Sequence, residues 1–136
     1  MIIYSTIVEK AKWGGVRVDL NSKQLVRKVV GALEDKKAQD IEVLNIQKVS
    51  LLSDYFVICT GRANTQIKSL ADNVEDVLAK AGYAPRHKEG YSSASWILLD
   101  YGEVVVHIFH HESRSFYNLE RLWSDSIPVD INVHAT

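Results

Sequence analysis

The pattern of hydrophobic and polar positions is most distinctive between Trp96 and Phe109, where it predicts two short strands. β-Branched and aromatic residues dominate this stretch, and the turn Asp100–Glu103 interrupts it with a glycine at hairpin spacing. Because both faces of the two strands are apolar, we expect helices to cover them. This hairpin is therefore predicted to lie in the middle of an α/β sheet.

The flanking segments predict helices and further strands. Apolar residues recur every three to four positions in segments 22–37 and 67–81, which is typical of amphipathic helices. We expect Asn64 or Thr65 to cap the second helix and Gly82 to end it in a left-handed conformation. Shorter runs predict strands at 41–46, 55–60 and 85–89, and the last amphipathic segment, 112–123, predicts a closing helix.

This order of elements, α-β-β-α-β-β-β-α, predicts an α/β (α+β) fold with a mixed sheet flanked by helices. We expect one domain over residues 21–123. Residues 1–20 read as an N-terminal extension that is either a weak hairpin or disordered. Residues 124–136 read as an irregular C-terminal tail.

Composition and charge narrow the possible partners. The 136 residues include 16 Lys+Arg and 17 Asp+Glu, so the net charge is −1. A protein that binds bare nucleic acid normally has a basic excess, so we expect little direct nucleic acid contact. The single cysteine, Cys59, fits a reducing cytoplasm. No apolar run is long enough for a membrane span and no signal peptide is recognisable, so we expect a cytoplasmic protein.

The histidines near the hairpin do not match a metal site. His107, His110, His111 and Glu112 follow a strand end, and their spacing does not hold two imidazoles on one helical face. We expect no metal and no cofactor. His107 is predicted to face inward with a carboxylate partner, and the other two histidines to be solvated.

A different chemistry remains open for two aspartates. Asp54 and Asp100 lie near predicted strand ends, where paired carboxylates could hold Mg²⁺ for nucleotidyl or phosphoryl transfer. The segment 61–65 lacks the pattern of a phosphate-binding loop, however. Asp54 is instead expected to accept backbone N–H bonds within its own loop. The sequence thus assigns no catalytic residue, and the enzyme is kept as the alternative.

Two aromatic positions have both a structural and a binding interpretation. Trp96 beside an acidic turn is either a core residue with a satisfied indole N–H or an anchor for a partner. Arg114 and Tyr117 share a face of the predicted closing helix, which is either a cationic and aromatic binding surface or a solvated face.

Five sequence segments together resemble the ribosomal silencing factor family (RsfS, also called Iojap or YbeB). They are Asp40-Ile41, residues 53–61 (SDYFVICTG), Glu89-Gly90, residues 96–107 (WILLDYGEVVVH) and residues 114–123 (RSFYNLERLW). The resemblance runs in order from about Ser22 to Trp123. The last two segments are its most specific part.

The resemblance implies a cytoplasmic, non-enzymatic repressor of translation with a nucleotidyltransferase-like fold that lacks the catalytic signature. Such factors bind the large ribosomal subunit through ribosomal protein L-fourteen and block joining of the small subunit when nutrients are scarce. They are often homodimers in isolation. A structural adaptor for some other basic protein is a further reading of the same acidic and aromatic groups.

Carried over residue by residue, the resemblance predicts a partner-binding surface and a set of supporting residues. The surface comprises Trp96, Asp100, Tyr101, Gly102 and Glu103, with support from Glu89 and Tyr91. The supporting residues, with scaffold or second-layer roles, are Asp54, His107, Arg114 and Tyr117. With the family pattern in hand, Trp96 is expected to contact the partner. Asp54 is expected to pair with His107 or Arg114, since a buried charge needs a partner.

Overall fold

The sheet and two helices are described by a computed structural model over residues 19–113 and 127–129. In chain order the elements are α1 (Ser22–Asp35), β1 (Gln39–Asn45), β2 (Tyr55–Gly61), α2 (Asn64–Lys80), β3 (His87–Glu89), β4 (Trp96–Asp100), β5 (Val104–His110) and β6 (Ile127–Val129). The strands lie in the order β3-β4-β5-β2-β1-β6. Only β2 and β5 are parallel among these neighbours. The predicted mixed α/β fold is confirmed.

The β4–β5 hairpin occupies the position that the hydrophobic pattern predicts. β5 lies between β4 and β2, and all its residues except His110 are buried. β4 alternates instead: Ile97 and Leu99 are fully buried, whereas the residues between and beside them are partly exposed. The hairpin therefore has one fully buried strand and one strand with a partly open face.

Both described helices pack on the same face of the sheet, which we call the helix face. Their inward residues, among them Leu33 and Leu70, form one cluster with strand residues that alternate along β2, β4 and β5. The members on these three strands are Tyr55, Val57, Cys59, Ile97, Leu99, Val104, Val106 and Ile108, and Val43 joins them from β1. Cys59 is buried, as its apolar surroundings predict. This face contains most of the hydrophobic core.

The opposite side of the sheet, which we call the aromatic face, differs in chemistry. A second cluster of buried residues lies there, with Phe56 and Trp96 packed against it. Since side chains alternate along a strand, the same face also carries Leu98, Asp100 and His107. A partly exposed tryptophan and a buried histidine thus lie on the side of the sheet opposite the two described helices.

The ends of α2 differ in part from the prediction. Ala63 is the N-cap residue and no side chain caps the helix, so the prediction of Asn64 or Thr65 is wrong by one or two positions. The side chain of Gln66 reaches back instead and accepts a hydrogen bond from Arg62 N at 2.8 Å. At the other end Gly82 has φ +89°, which confirms the predicted left-handed residue.

The C-terminal segment contains regular structure that the sequence pattern does not reveal. Ile127–Val129 pairs antiparallel with β1, although residues 124–136 were expected to be irregular. A three-residue strand is too short to show periodicity, and Pro128 is tolerated because β6 is an edge strand. The predicted closing helix from residue 114 onward, and residues 1–18 of the extension, lie outside the described residues.

Candidate functional site

Three of the predicted binding residues lie in one row along the aromatic face. Trp96 and Asp100 are separated by four positions on β4, so their side chains lie on the same side with Leu98 between them. Glu89 on β3 pairs with Leu98 and joins them. We call these four residues the β4 strip. Leu98 was missed at the sequence level, although the period-two alternation from Trp96 predicts that it shares the face.

Trp96 is fixed by two contacts on β5. Its indole N–H donates to Nδ1 of His107 at 3.1 Å. Its ring stacks on Phe109, with 5.0 Å between centroids and 26° between planes. Trp96 is nevertheless partly exposed, so a satisfied indole N–H and partial exposure occur together. Trp96 thus has features of both a core residue and an anchor for a partner.

His107 is buried in an aromatic environment. Only 4% of the residue is exposed, and the Phe56 ring lies 4.5 Å from the imidazole between centroids. Burial lowers the pKa of His107 from 6.5 to about 4, so the ring is neutral at pH 7. Because Nδ1 accepts from the indole, the ring proton lies on Nε2, which has no hydrogen-bond partner within residues 19–113 and 127–129. The prediction that His107 has a carboxylate partner is wrong, because its hydrogen-bond partner is the Trp96 indole.

The turn between β4 and β5 is held by short polar bonds. One carboxylate oxygen of Asp100 accepts the Gly102 N–H at 2.7 Å, and Tyr101 N donates to Val104 O at 2.9 Å. Gly102 has φ +88°, which favours glycine. The guanidinium of Arg86 lies so close that a Cβ on Gly102 would be 2.8 Å from it. The acidic turn is therefore rigid, and a cation is packed on one side of it.

The remaining predicted surface residues divide into exposed and buried ones. Glu103 is exposed and projects from the turn. Tyr101 is only 7% exposed and belongs to the core cluster on the helix face. Gly102 is buried as well. The structure thus leaves Glu103 as the accessible side chain of the turn, beside the partly exposed Asp100.

Tyr91 does not share the face of the β4 strip. Its hydroxyl donates to Asp72 on α2 at 3.1 Å, and its ring packs against the core of the helix face. The ammonium groups of Lys88 and Lys68 lie 4.2 Å and 5.4 Å from the ring centroid. These contacts place Tyr91 between β3 and α2, away from Trp96.

Asp54 lies at the end of the sheet that carries the turn. Its backbone N–H donates to Glu103 O at 2.7 Å. The predicted pairing with His107 is not found, because His107 pairs with Ile58 four positions further along β2 and is bonded to Trp96. The Ser50 hydroxyl, and not the Asp54 carboxylate, accepts the backbone bonds within this loop. Arg114 and Tyr117 lie outside the described residues.

The histidine-rich segment after β5 has a local structure of its own. His110 stacks on His111 with 4.6 Å between centroids, and its Nδ1 accepts from Glu112 N at 3.1 Å. Across the described part of the chain, no group of three His, Cys, Asp or Glu side chains is arranged to hold a metal ion. The described residues therefore do not join Asp54 and Asp100 in a group of three that could bind a metal ion.

Comparison with known proteins decides the family. The sequence model of the family described as "Ribosomal silencing factor during starvation" matches residues 19–136. The chain belongs to the ribosomal silencing factor family. The RsfS protein of Bacillus subtilis is 39% identical over 113 residues, which cover 83% of this chain and 96% of that protein. The RsfS protein of Halalkalibacterium halodurans is 38% identical over 112 residues, or 82% of this chain and 96% of the relative.

A solved structure from Chromobacterium violaceum shares the fold of this RsfS family member. It has a TM-score of 0.75 and 34% sequence identity, and the match covers 81% of this chain and 92% of that one. The RsfS relatives are named as regulatory factors and not as enzymes. None of the helices formed by the described residues is long and apolar enough to cross a membrane. The resemblance that the motifs indicate is thus confirmed at the level of the family and the fold.

Proposed function

We propose that this chain binds the large ribosomal subunit through ribosomal protein L-fourteen and prevents the small subunit from joining. The observation that carries the proposal is the β4 strip, in which a fixed tryptophan and two carboxylates share one side of a rigid sheet. Family membership supplies the ribosome as the partner. Repression of translation under nutrient limitation follows from this occupancy.

The chemistry of the strip suits a basic protein surface. Asp100, Glu89 and the neighbouring Glu103 supply carboxylates, and Trp96 with Leu98 supplies apolar area. Interface centres are enriched in aromatic residues, and opposite charges across an interface speed association and set its register. The net charge of −1 argues against a large direct contact with ribosomal RNA.

The proposed mechanism is steric exclusion, so it needs a rigid and specific surface and no reacting group. The indole bond to His107 and the Asp100 bond to Gly102 provide this rigidity in the unbound protein. Less conformational entropy is then lost on binding. The proposal places the protein in the cytoplasm with the ribosome, and a homodimer is its expected unbound state.

Two substitutions on the strip test the proposal, Trp96→Ala and Asp100→Arg. Each should abolish co-sedimentation with purified large subunits, because the first removes the aromatic anchor and the second reverses the charge. The same variants should fail to slow the joining of small to large subunits, followed by light scattering. Urea unfolding of each variant shows whether it remains folded.

Asp76→Arg is the matched control, since it makes the same charge change at an exposed position on α2, on the other side of the sheet. It should co-sediment like the parent protein. Unchanged co-sedimentation by both folded strip variants would refute the assigned surface. Micromolar binding of a nucleoside triphosphate with Mg²⁺, lost in Asp54→Asn, would instead favour the transfer enzyme.

A further inference from the structure

An exposed apolar loop stands beside the acidic turn. Val49, Leu51 and Leu52, which we call the leucine loop, are 42%, 102% and 88% exposed. Burying one leucine side chain is worth about 1.5–3 kcal/mol, so a partner that covers both would gain free energy that the isolated fold does not use. Exposed apolar groups with a polar rim commonly mark interaction sites.

The leucine loop has a defined shape. Ile46 O accepts from Val49 N and from Ser50 N, both at 2.9 Å. The Ser50 hydroxyl then accepts from Leu52 N at 3.1 Å and from Ser53 N at 3.3 Å. These bonds fix the backbone at the two leucines, so they are presented in one arrangement. Little additional ordering is needed when a partner binds.

The loop is fastened directly to the turn of the β4–β5 hairpin. The Ser53 hydroxyl donates to Gly102 O at 2.7 Å. Asp54 N and Tyr55 N both donate to Glu103 O, at 2.7 Å and 3.0 Å. The segment that directly follows the two leucines is therefore tied to the acidic turn by three hydrogen bonds.

The charges around the loop indicate what kind of surface it can meet. Asp54, Asp100 and Glu103 lie at its base, and the nearby cations are Arg86 on Gly102 and Lys48 before the leucines. The excess is negative. A second copy of the chain would bring the same carboxylates together, and an anionic lipid surface would be repelled. A basic protein surface is the complementary partner.

We propose that Leu51 and Leu52 insert into an apolar depression bordered by Lys and Arg on a protein of the large ribosomal subunit. They form the apolar part of an interface whose acidic part is the adjoining turn. This inference rests on the proposed function. It adds a second anchor at the turn end of β4, opposite the end that carries Trp96. The occupant is the same basic ribosomal protein that the β4 strip contacts.

The test compares the double variant Leu51→Asn/Leu52→Asn with Glu103→Gln and with the control Thr65→Asn, an exposed position on α2. The Kd for purified large subunits should rise at least tenfold in the double variant and stay unchanged in the control. Stability should be preserved, because both leucines are exposed in the folded protein. The loss of affinity in the double variant should not change with salt concentration. The loss of affinity in Glu103→Gln should become smaller at higher salt, because salt screens the interaction between charges.

Each other outcome overturns the inference and identifies the reason. If Trp96→Ala abolishes binding and the double variant binds like the parent, the leucine loop has no role although the proposed function survives. If the parent protein fails to bind large subunits, both proposals fall. If the parent self-associates in sedimentation velocity and the double variant does not, the loop binds a second copy. If the parent floats with anionic phosphatidylglycerol vesicles and the double variant does not, the loop binds a membrane.

Discussion

The two ends of β4 are both rigid, but different forces hold them. At the tryptophan end, Trp96 is held by stacking on Phe109 and by a bond to the buried His107. At the turn end, Asp100 is held by a bond to Gly102, and the neighbouring loop bonds to the same turn. The first end depends on burial, and the second depends on polar bonds near water.

This difference separates stability from recognition along one strand. A buried aromatic contact is lost when a substitution changes the volume of a side chain or when the imidazole becomes protonated. Its loss weakens the whole fold. A surface hydrogen bond contributes about 1 kcal/mol, so the turn can change without unfolding the protein. Damage at the tryptophan end should therefore reduce both stability and binding, whereas damage at the turn end should mainly reduce binding.

The largest effect is expected for Gly90→Ala, at the tryptophan end. A Cβ there would lie 2.0 Å from the carbonyl oxygen of Trp96, and Gly90 has φ +80°. The obstacle is backbone, so β4 itself must shift, and we expect a loss of about 3 kcal/mol in the free energy of unfolding. Urea denaturation followed by circular dichroism measures it.

Gly31→Ala is the matched control for this substitution. A Cβ on Gly31 meets nothing within 4 Å, and the residue lies inside α1. Alanine should stabilise the protein there by about 0.5–1 kcal/mol. If the two substitutions lowered the free energy of unfolding equally, the contact between Gly90 and Trp96 would have no special role.

A comparable effect is expected from pH at His107. The imidazole has a pKa of about 4 in the folded protein and an ordinary value of 6.5. Between these values the unfolded chain binds more protons, so stability is intact above pH 6.5 and falls as the pH drops towards 4. The full loss is about 3 kcal/mol, the free energy that corresponds to this difference in pKa.

Urea denaturation at intervals from pH 7 to pH 4 measures this loss, with His107→Gln as the reference. Glutamine can keep an oxygen acceptor for the Trp96 indole but does not titrate. The parent should therefore lose more stability than the variant across this range. Parallel pH profiles for the two proteins would contradict the buried, neutral imidazole.

A smaller effect is expected for Gly102→Ala, at the turn end. The positive φ costs about 1–2 kcal/mol for alanine, and the Arg86 guanidinium in its way can move because it ends a flexible side chain. The loss in stability should be smaller than for Gly90→Ala. The same substitution in an Arg86→Ala background separates the backbone cost from the contact. A loss as large as that of Gly90→Ala would break the comparison.

Much of the fold was predictable because strong periodicity specifies local structure. The alternation and the glycine turn predict the β4–β5 hairpin, and the helical spacing predicts α1 and α2. The cap of α2 was misplaced because Ala63 carries no capping side chain. β6 was missed because its three residues show no period.

The site was less predictable because it depends on pairing between strands. The bond between Trp96 and His107 depends on the register of β4 and β5, which the length of the joining turn fixes only once the turn type is known. Tyr101 looked like a surface aromatic in a turn, yet it is buried on the helix face. The exposure of Leu51 was equally hidden, since apolar residues normally predict core.

The parallel pairing of β2 with β5 has a consequence for how the chain is made. Residues 62–103 lie between these two neighbouring strands, and they include α2 and the outer strands β3 and β4. During synthesis β2 can pair with β1 at once, but its other edge has no partner until β5 has left the exit tunnel. Tyr55 to Gly61 should therefore be the stretch of nascent chain that most needs protection from aggregation.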